Sequence, residues 1–593
     1  MKINLISKPD RRYNPIVQVL LNRGIPINEI SHYLNLTDDD ILSYNLLGEN
    51  KLRAAATYLI NCINNDESCC VVVDCDCDGY ASSAILINYL YNLFPAWVST
   101  KVKWLMHTGK QHGLMDQIDT IMEEQPKLVI CPDSASNDYE CHSRIKSYGG
   151  MVICLDHHEA DKNSPDAIVI NNQLSEYPNK AACGGCVTWQ FCRYLDSLLG
   201  VNYADKYLDL VAYSLVSDMM DMRSFETRYL TSKGFEPDRV TNPFLYGMWQ
   251  KNAFKLGDRI SNIGCAFYIT PLGNCVTRSG TQEEKELLFK SMLNHCAFQM
   301  ILSDKRGHKL GEQERVIDQA LRMVTRVKTR QTKAQDDGME YLENMIAEKH
   351  LNDHKVLLFL LNDNTVSPAI RGLAANKLMA KYQKPVAVLT KHNNDNGVTL
   401  YEGSCRGYSK TGVESFKDIC EETGTTEYLA GHANAFGCGI KEDNVATFLD
   451  KTDAALSSIS TEPAYNVDYL FEPDSNAIAE VILKLADYDY LYGQEVDEPL
   501  FAIHNIKVST DMITIMKGNT LKITLPNGIP IIKFNATEEE IEELTPQRGT
   551  ITLNIVARGN KNEWNGNISA QLMLVDYEIK EDKPTSIVEM WGF

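Results

Sequence analysis

No apolar run in this sequence approaches the ~20 residues that a membrane-crossing helix needs. The opening Met1-Lys2-Ile3-Asn4-Leu5-Ile6 also lacks the apolar core of a secretion signal. Both absences predict a soluble, cytoplasmic protein with no membrane partner. Positive charge is scarce too: 58 Lys and Arg stand against 79 Asp and Glu, a formal net charge of −21. Such a balance excludes a generally adhesive nucleic-acid binder, although net charge governs solubility more than the chemistry of one groove. The 17 cysteines are odd in number and scattered, and several sit in apolar runs (Cys69, Cys70, Cys131, Cys154). They read as reduced core residues rather than a disulfide framework. Cys183-Gly184-Gly185-Cys186 has zinc-ligand spacing but no partner pair, so it is read as structural.

At 593 residues the chain is too long for one core, and about four domains are expected. Residues 1–50 read as a small helical preface. From Lys51 onward strand and helix signals alternate in the βαβ manner, and one stretch organises the rest. Val71-Val72-Val73 runs into Asp74-Cys75-Asp76-Cys77-Asp78-Gly79 and then into the helix-like Ala84–Leu90. A side-chain period of two starts the three aspartates on one face, and a turn at Gly79 is expected to gather them at the strand's C-terminal edge. Cys75 and Cys77 are expected to point the other way. Like charges this close repel unless a hard cation joins them. A solvated acidic loop is the bland alternative for a lone D-x-D-x-D.

Two more apolar strands end in ligand chemistry. Lys127–Cys131 runs into Pro132-Asp133, and Met151–Leu155 into Asp156-His157-His158. The apolar helix Tyr207–Ser217 then leads to Asp218. A lone Asp-His-His or a lone acid after a helix carries little weight; the recurrence carries the argument. Aspartates with one imidazole fit manganese or magnesium better than zinc or copper. Two ions sharing a carboxylate can polarise a phosphate and generate hydroxide at neutral pH, which is phosphoester hydrolysis.

These residues resemble the DHH phosphoesterase superfamily, whose motif stands here as Asp156-His157-His158. The resemblance to its RecJ branch of single-stranded-DNA exonucleases extends over nearly the whole chain. It implies that Asp76, Asp78, Asp133, His157 and Asp218 bind two Mn2+ or Mg2+ ions, with Asp133 shared. It also implies that His158 contacts the scissile phosphate, while Asp74 and Asp156 support the site. Downstream, Ser367–Leu378 and Lys384–Leu389 look like the DHH-associated domain. Gly403-Ser404-Cys405-Arg406 resembles its 5′-phosphate-binding element, and Gly431-His432 opens a loop similar to its glycine-rich one. Ala430 and Phe436 depart from the small residues of that loop. Between the first two motifs the relatives carry an arginine and Gly-Tyr-Gly; here the region offers His107 or Lys110.

The implied architecture is α/β: a helical segment (1–50), a parallel-sheet DHH domain (51–300) and a basic connecting helix (301–348). A smaller α/β DHH-associated domain (349–460) and an OB-like β-barrel (461–593) of short strands with Asn-Gly turns follow. Arg322, Arg326 and Arg330 recur at helical spacing, as a solvated face or as a stripe tracking a DNA backbone. Trp564 is a base-stacking platform or a hairpin-packing residue. The implied function is 5′-to-3′ exonucleolytic hydrolysis of single-stranded DNA to 5′-mononucleotides by a monomer. Single-stranded-DNA-binding, repair or recombination proteins are candidate partners. A phosphodiesterase for short oligonucleotides and a non-catalytic DNA-binding scaffold are the alternatives.

Overall fold

The computed structural model describes every residue except 11, 110, 394–397, 461, 547–548, 565 and 581–593, and leaves the side chain of Trp564 undescribed. Two compact units form. One comprises residues 25–330 with 489–497, the other residues 1–24, 331–488 and 498–593.

The first unit is built on five parallel strands: β1 (Cys69–Val73), β2 (Val102–Met106), β3 (Leu128–Pro132), β4 (Met151–Asp156) and β5 (Ala167–Asn171). Every residue of β1 and β3 is buried, as expected for parallel strands covered on both faces. Their order is β2-β1-β3-β4-β5. The order reverses between β1 and β3, so the crevice beyond their C-terminal ends is the switch point where open α/β sheets bind ligands. Helix α1 (Cys77–Leu93) leaves β1 and packs against α2 (Gly184–Leu199) and α3 (Leu208–Ser217). The local geometry differs from the expected Gly79 turn. The helix begins at Cys77 with Asp76 as its N-cap, the carboxylate accepting from the Asp78 and Gly79 amides at 2.9 and 3.1 Å. Gly79 instead lies in the first turn, where a Cβ would overlap Asp74.

The basic segment also departs from a continuous helix. It starts as an antiparallel hairpin, β6 (Met300–Leu302) with β7 (Gln313–Arg315). Gly307 and Gly311, both at positive φ, lie in its connection. Helix α4 (Val316–Glu348) follows.

In the second unit, β8 (Leu357–Leu361), β9 (Val386–Asn393), β10 (Thr399–Arg406), β11 (Thr426–His432) and β12 (Ala435–Lys441) make a sheet of order β11-β12-β10-β9-β8, with helix α5 (Pro368–Tyr382) between β8 and β9 in the chain. Alternate residues of β9 serve two cores: Val386 and Val388 one, Ala387 and Leu389 the other. A further seven-stranded sheet contains β13 (Tyr469–Phe471), β14 (Leu500–Ser509), β15 (Ile513–Met516), β16 (Thr520–Thr524), β17 (Pro530–Lys533), β18 (Thr550–Trp564) and β19 (Asn567–Lys580). Here β18 and β19 are 15 and 14 residues long, not the short strands expected. Their pairing stays in register for most of its length, with one bulge at Val556/Ala557. The helical reading of the first residues is also incomplete. A strand, Lys2–Leu5, pairs in parallel with Ala464–Val467.

Candidate metal centre

The aspartates after β1, Asp133 after β3, the Asp-His-His that begins with the last residue of β4, and Asp218 capping α3 converge at the switch point. His157 is the centre of the cluster. Its Nε2 lies 3.2 Å from Asp133 Oδ1, 3.3 Å from Asp218 Oδ2 and 3.8 Å from Asp78 Oδ2. Asp74, Asp76 and Asp133 form a second group of converging oxygens. Burial lowers the His157 pKa, so at neutral pH its ring is neutral and able to ligate. Burial and the charges of Asp78, Asp76, Asp74 and Asp218 push the Asp133 carboxyl far up. Burial, Asp78 and Asp76 raise Asp218 to about 8. Asp133 Oδ1 and His157 Nε2 are buried without a hydrogen-bond partner. Such an assembly is stable only if protons or a cation lie between its members. Five oxygen donors and one nitrogen fit a hard divalent ion.

Neighbouring groups hold these side chains in place. Asp78 accepts the Gly184 and Gly185 amides at 2.9 and 3.0 Å, Ser82 Oγ at 2.9 Å, and the Ser214 hydroxyl. The N-terminus of α2 therefore faces a carboxylate, as helix dipoles favour. Side chains at 184 and 185 would overlap Asp133 and Ser214. The Gly-Gly between Cys183 and Cys186 thus serves the site, while both cysteines stay buried. Asp133 and Ala135 adopt positive φ, 68° and 75°, a rare strain that accompanies functional loops. Asp156 accepts the amides of Ser136, His157 and His158 at 3.0, 2.7 and 3.1 Å, and binds His158 Nδ1 at 2.9 Å. Burial alone would raise the Asp156 pKa, but the hydrogen bond and charge of His158 hold it well below the carboxylate range. Conversely, burial works to lower His158, and Asp156 overrides it to give about 9. His158 is therefore a cation at neutral pH. Its half-exposed ring borders a cleft of about 130 Å³ lined also by His112, Ser134, Ser136 and Glu159.

Asp74 is held by a residue the sequence reading passed over. His112 Nδ1 meets Asp74 Oδ2 at 2.5 Å, and the Gly113 amide donates to Oδ1 at 3.2 Å. His107 is buried, 3.7 Å from Asp74 Oδ1 and 2.8 Å from Asp116. Lys110 lies outside the described residues. Of the two cysteines, Cys77 turns away toward the Thr270 carbonyl, but Cys75 lies 3.5 Å from His112 Nε2, on the Asp74 side.

In the first unit, Arg322, Arg326 and Arg330 share one face of α4, yet each is paired. Arg322 binds Glu314 and Asp304, Arg326 binds Asp304, and Arg330 binds Glu284. The β6–β7 hairpin and a neighbouring helix supply these acids, which sequence spacing could not reveal. In the second unit, β10 carries Ser404 and Arg406, opposite Gly437 and Ala435 of β12. Gly372 of α5 leaves room for the Arg406 guanidinium, which a Cβ would strike. Gly431 (φ 125°) and His432 end β11, both exposed. Phe436, the departure from the small-residue loop, is a core residue packed on Phe416 with ring centroids 5.6 Å apart. The backbone of Trp564 ends β18.

Switch point, strand order and donor set describe an α/β domain with a candidate site for a divalent cation, followed by two further β-rich modules. Three family models match in that order: the DHH family N-terminal domain over residues 68–215, the DHHA1 domain over 353–458, and the RecJ OB domain over 475–576. The chain is 32% identical to the SPbeta prophage-derived YorK of Bacillus subtilis (strain 168), provisionally named a single-strand DNA-specific exonuclease, covering 99% of this chain and 100% of that one. It is 23% identical to the single-stranded-DNA-specific exonuclease RecJ of the same bacterium, over 95% of this chain and 68% of RecJ. The crystal structure of RecJ from Thermus thermophilus in complex with Mn2+ has the same fold, with a TM-score of 0.71 at 18% identity over 98% of this chain and 80% of that one. This chain belongs to the RecJ-like group of the DHH phosphoesterase family.

Proposed function

We propose that the chain is a divalent-metal-dependent nuclease that degrades single-stranded DNA from its 5′ end, releasing 5′-mononucleotides. The observation that carries this reading is the ring of carboxylates around the buried His157 Nε2, at a topological switch point and beside a cationic histidine. Asp76, Asp78, Asp133, His157 and Asp218 would hold manganese or magnesium. Two ions are proposed because Asp133 belongs to two of the converging donor groups. Such ions, when bound, neutralise phosphate charge and lower the pKa of a water to within reach of neutrality.

The chain's own residues do the remaining work. Asp156 fixes the His158 ring through Nδ1, leaving the rest of a charged imidazole to donate to a phosphate oxygen in the adjoining cleft. The amides of Gly184 and Gly185 hold Asp78 in position, so its orientation survives when substrate leaves. The names of the relatives and the RecJ OB match support single-stranded DNA as the partner. Ser404, Arg406, Gly431 and His432 are proposed to receive a 5′ phosphate. The test is degradation of single strands labelled at either end with manganese present. A 5′ label should appear at once as mononucleotide, while a 3′ label stays on steadily shortening strands. The reverse pattern overturns the polarity, and intact strands overturn the nuclease.

A further inference from the structure

We propose that Asp74, Cys75 and His112 form a zinc site that adjoins the metal centre, shares Asp74 with it, and arrests the enzyme when occupied. Three donors of different chemistry, a carboxylate oxygen, a thiol sulfur and an imidazole nitrogen, lie within 4.8 Å of one another. Among the described residues this is the only such group that includes a cysteine. All 17 cysteines are buried, so burial alone does not distinguish Cys75. Its neighbours do: Cys154 also meets a histidine, His142 at 3.7 Å, but among the described residues no carboxylate completes a group with them.

The spacing suits a tetrahedral ion. Zinc–sulfur and zinc–nitrogen bonds of about 2.3 and 2.0 Å separate those donors by about 3.5 Å. Cys75 Sγ stands 3.8 and 3.5 Å from the two His112 ring nitrogens. The Asp74–His112 pair, at 2.5 Å across a shared proton, would open to about 3.3 Å as that proton leaves. Binding therefore releases two protons to solvent, this one and that of the Cys75 thiol, and water supplies the fourth ligand. The half-exposed His112 ring gives an ion its entry, and buried Asp74 and Cys75 hold it.

Sulfur sets the selectivity. The cluster around His157 offers oxygen and one imidazole, which manganese and magnesium accept; a thiolate favours zinc over both. Asp74 also belongs to the converging group with Asp76 and Asp133. Zinc bound at Cys75 would draw that carboxylate away and place a positive ion beside the working ones. The inhibition rests on the nuclease reading above; the binding site does not.

Cobalt(II) titrated into chelator-treated full-length protein is the direct test, because thiolate ligation gives a near-ultraviolet charge-transfer band. The wild type should show one equivalent of that band, and Cys75→Ala and the more conservative Cys75→Ser should lack it. In manganese-supported cleavage, Cys75→Ala should act as the wild type does, yet need about ten-fold more zinc or higher for half-inhibition. A band that is absent from the wild type or survives both substitutions overturns the site. Equal zinc sensitivity in Cys75→Ala overturns the arrest. Inactivity of the wild type with an intact cobalt band would instead defeat the nuclease reading alone.

Discussion

Two charged regions of the same unit differ in what they leave unsatisfied. On α4 the arginines at 322, 326 and 330 each find a carboxylate within 3.0 Å, so the face is electrically complete without a ligand. Around His157 the reverse holds. Acidic oxygens crowd one another and a ring nitrogen, and two buried atoms, Asp133 Oδ1 and His157 Nε2, have no hydrogen-bond partner. Charge density alone marks both regions; only the unmet demand marks a site.

The largest test of this contrast is Asp133→Ala. Cleavage with manganese should fall to background, because both donor groups lose their shared oxygen. The chelator-treated protein should lose less than about 1 kcal/mol of stability, since like-charge crowding is relieved. Activity near wild type in this variant would remove Asp133 from the site. Asp156→Asn should be milder, lowering turnover by about 10–100-fold. It keeps the shape but frees the His158 ring and lowers its pKa, so the loss should deepen as pH rises from 6 to 9. A flat profile would show that His158 charge is not used.

Next comes the pH dependence of the apo protein. Asp218 rises from 3.8 to about 8 on folding, His158 from 6.5 to about 9, and Asp133 also rises. The folded chain then binds more protons than the unfolded one across pH 4 to 8, and stability must fall as pH rises through that window. His157, shifted down, opposes this with one group below 6.5. Melting in chelator should therefore drop toward pH 8, and manganese should remove most of the drop by replacing the protons. An unchanged slope with metal would separate these carboxylates from the ion.

The smallest effect is expected on α4. Replacing Arg322, Arg326 and Arg330 together with glutamine should cost each exposed pair no more than about 1 kcal/mol. It should change the log–log salt slope of single-strand binding by less than the ~0.7 that each true phosphate contact would give. A change approaching three such contacts would restore the stripe as a DNA track.

Much of the catalytic half was legible because it is local. Valine-rich and isoleucine-rich strands running into aspartate, and Asp-His-His at the end of β4, announce a parallel sheet and the carboxylates and imidazoles gathered at its edge within a few residues each. What stayed hidden is long-range. Nothing near Gly184 and Gly185 in sequence says that their amides meet Asp78, more than a hundred residues away. His112 is a lone histidine in a loop until the fold brings it to Asp74. The acids that neutralise the α4 arginines come partly from 46 residues upstream, at Glu284. Likewise the strand Lys2–Leu5 finds its partner at residues 464–467, which no period in the first fifty residues records.

A divalent ion is proposed to meet the demand around His157. Electron paramagnetic resonance of Mn2+ titrated into chelator-treated protein tests it most directly, because bound manganese loses its sharp free-ion signal. The wild type should quench that signal stoichiometrically, and His157→Ala should lose most of the tight binding. Wild-type protein that leaves the free signal untouched, or a His157→Ala variant that quenches it equally, would contradict the account.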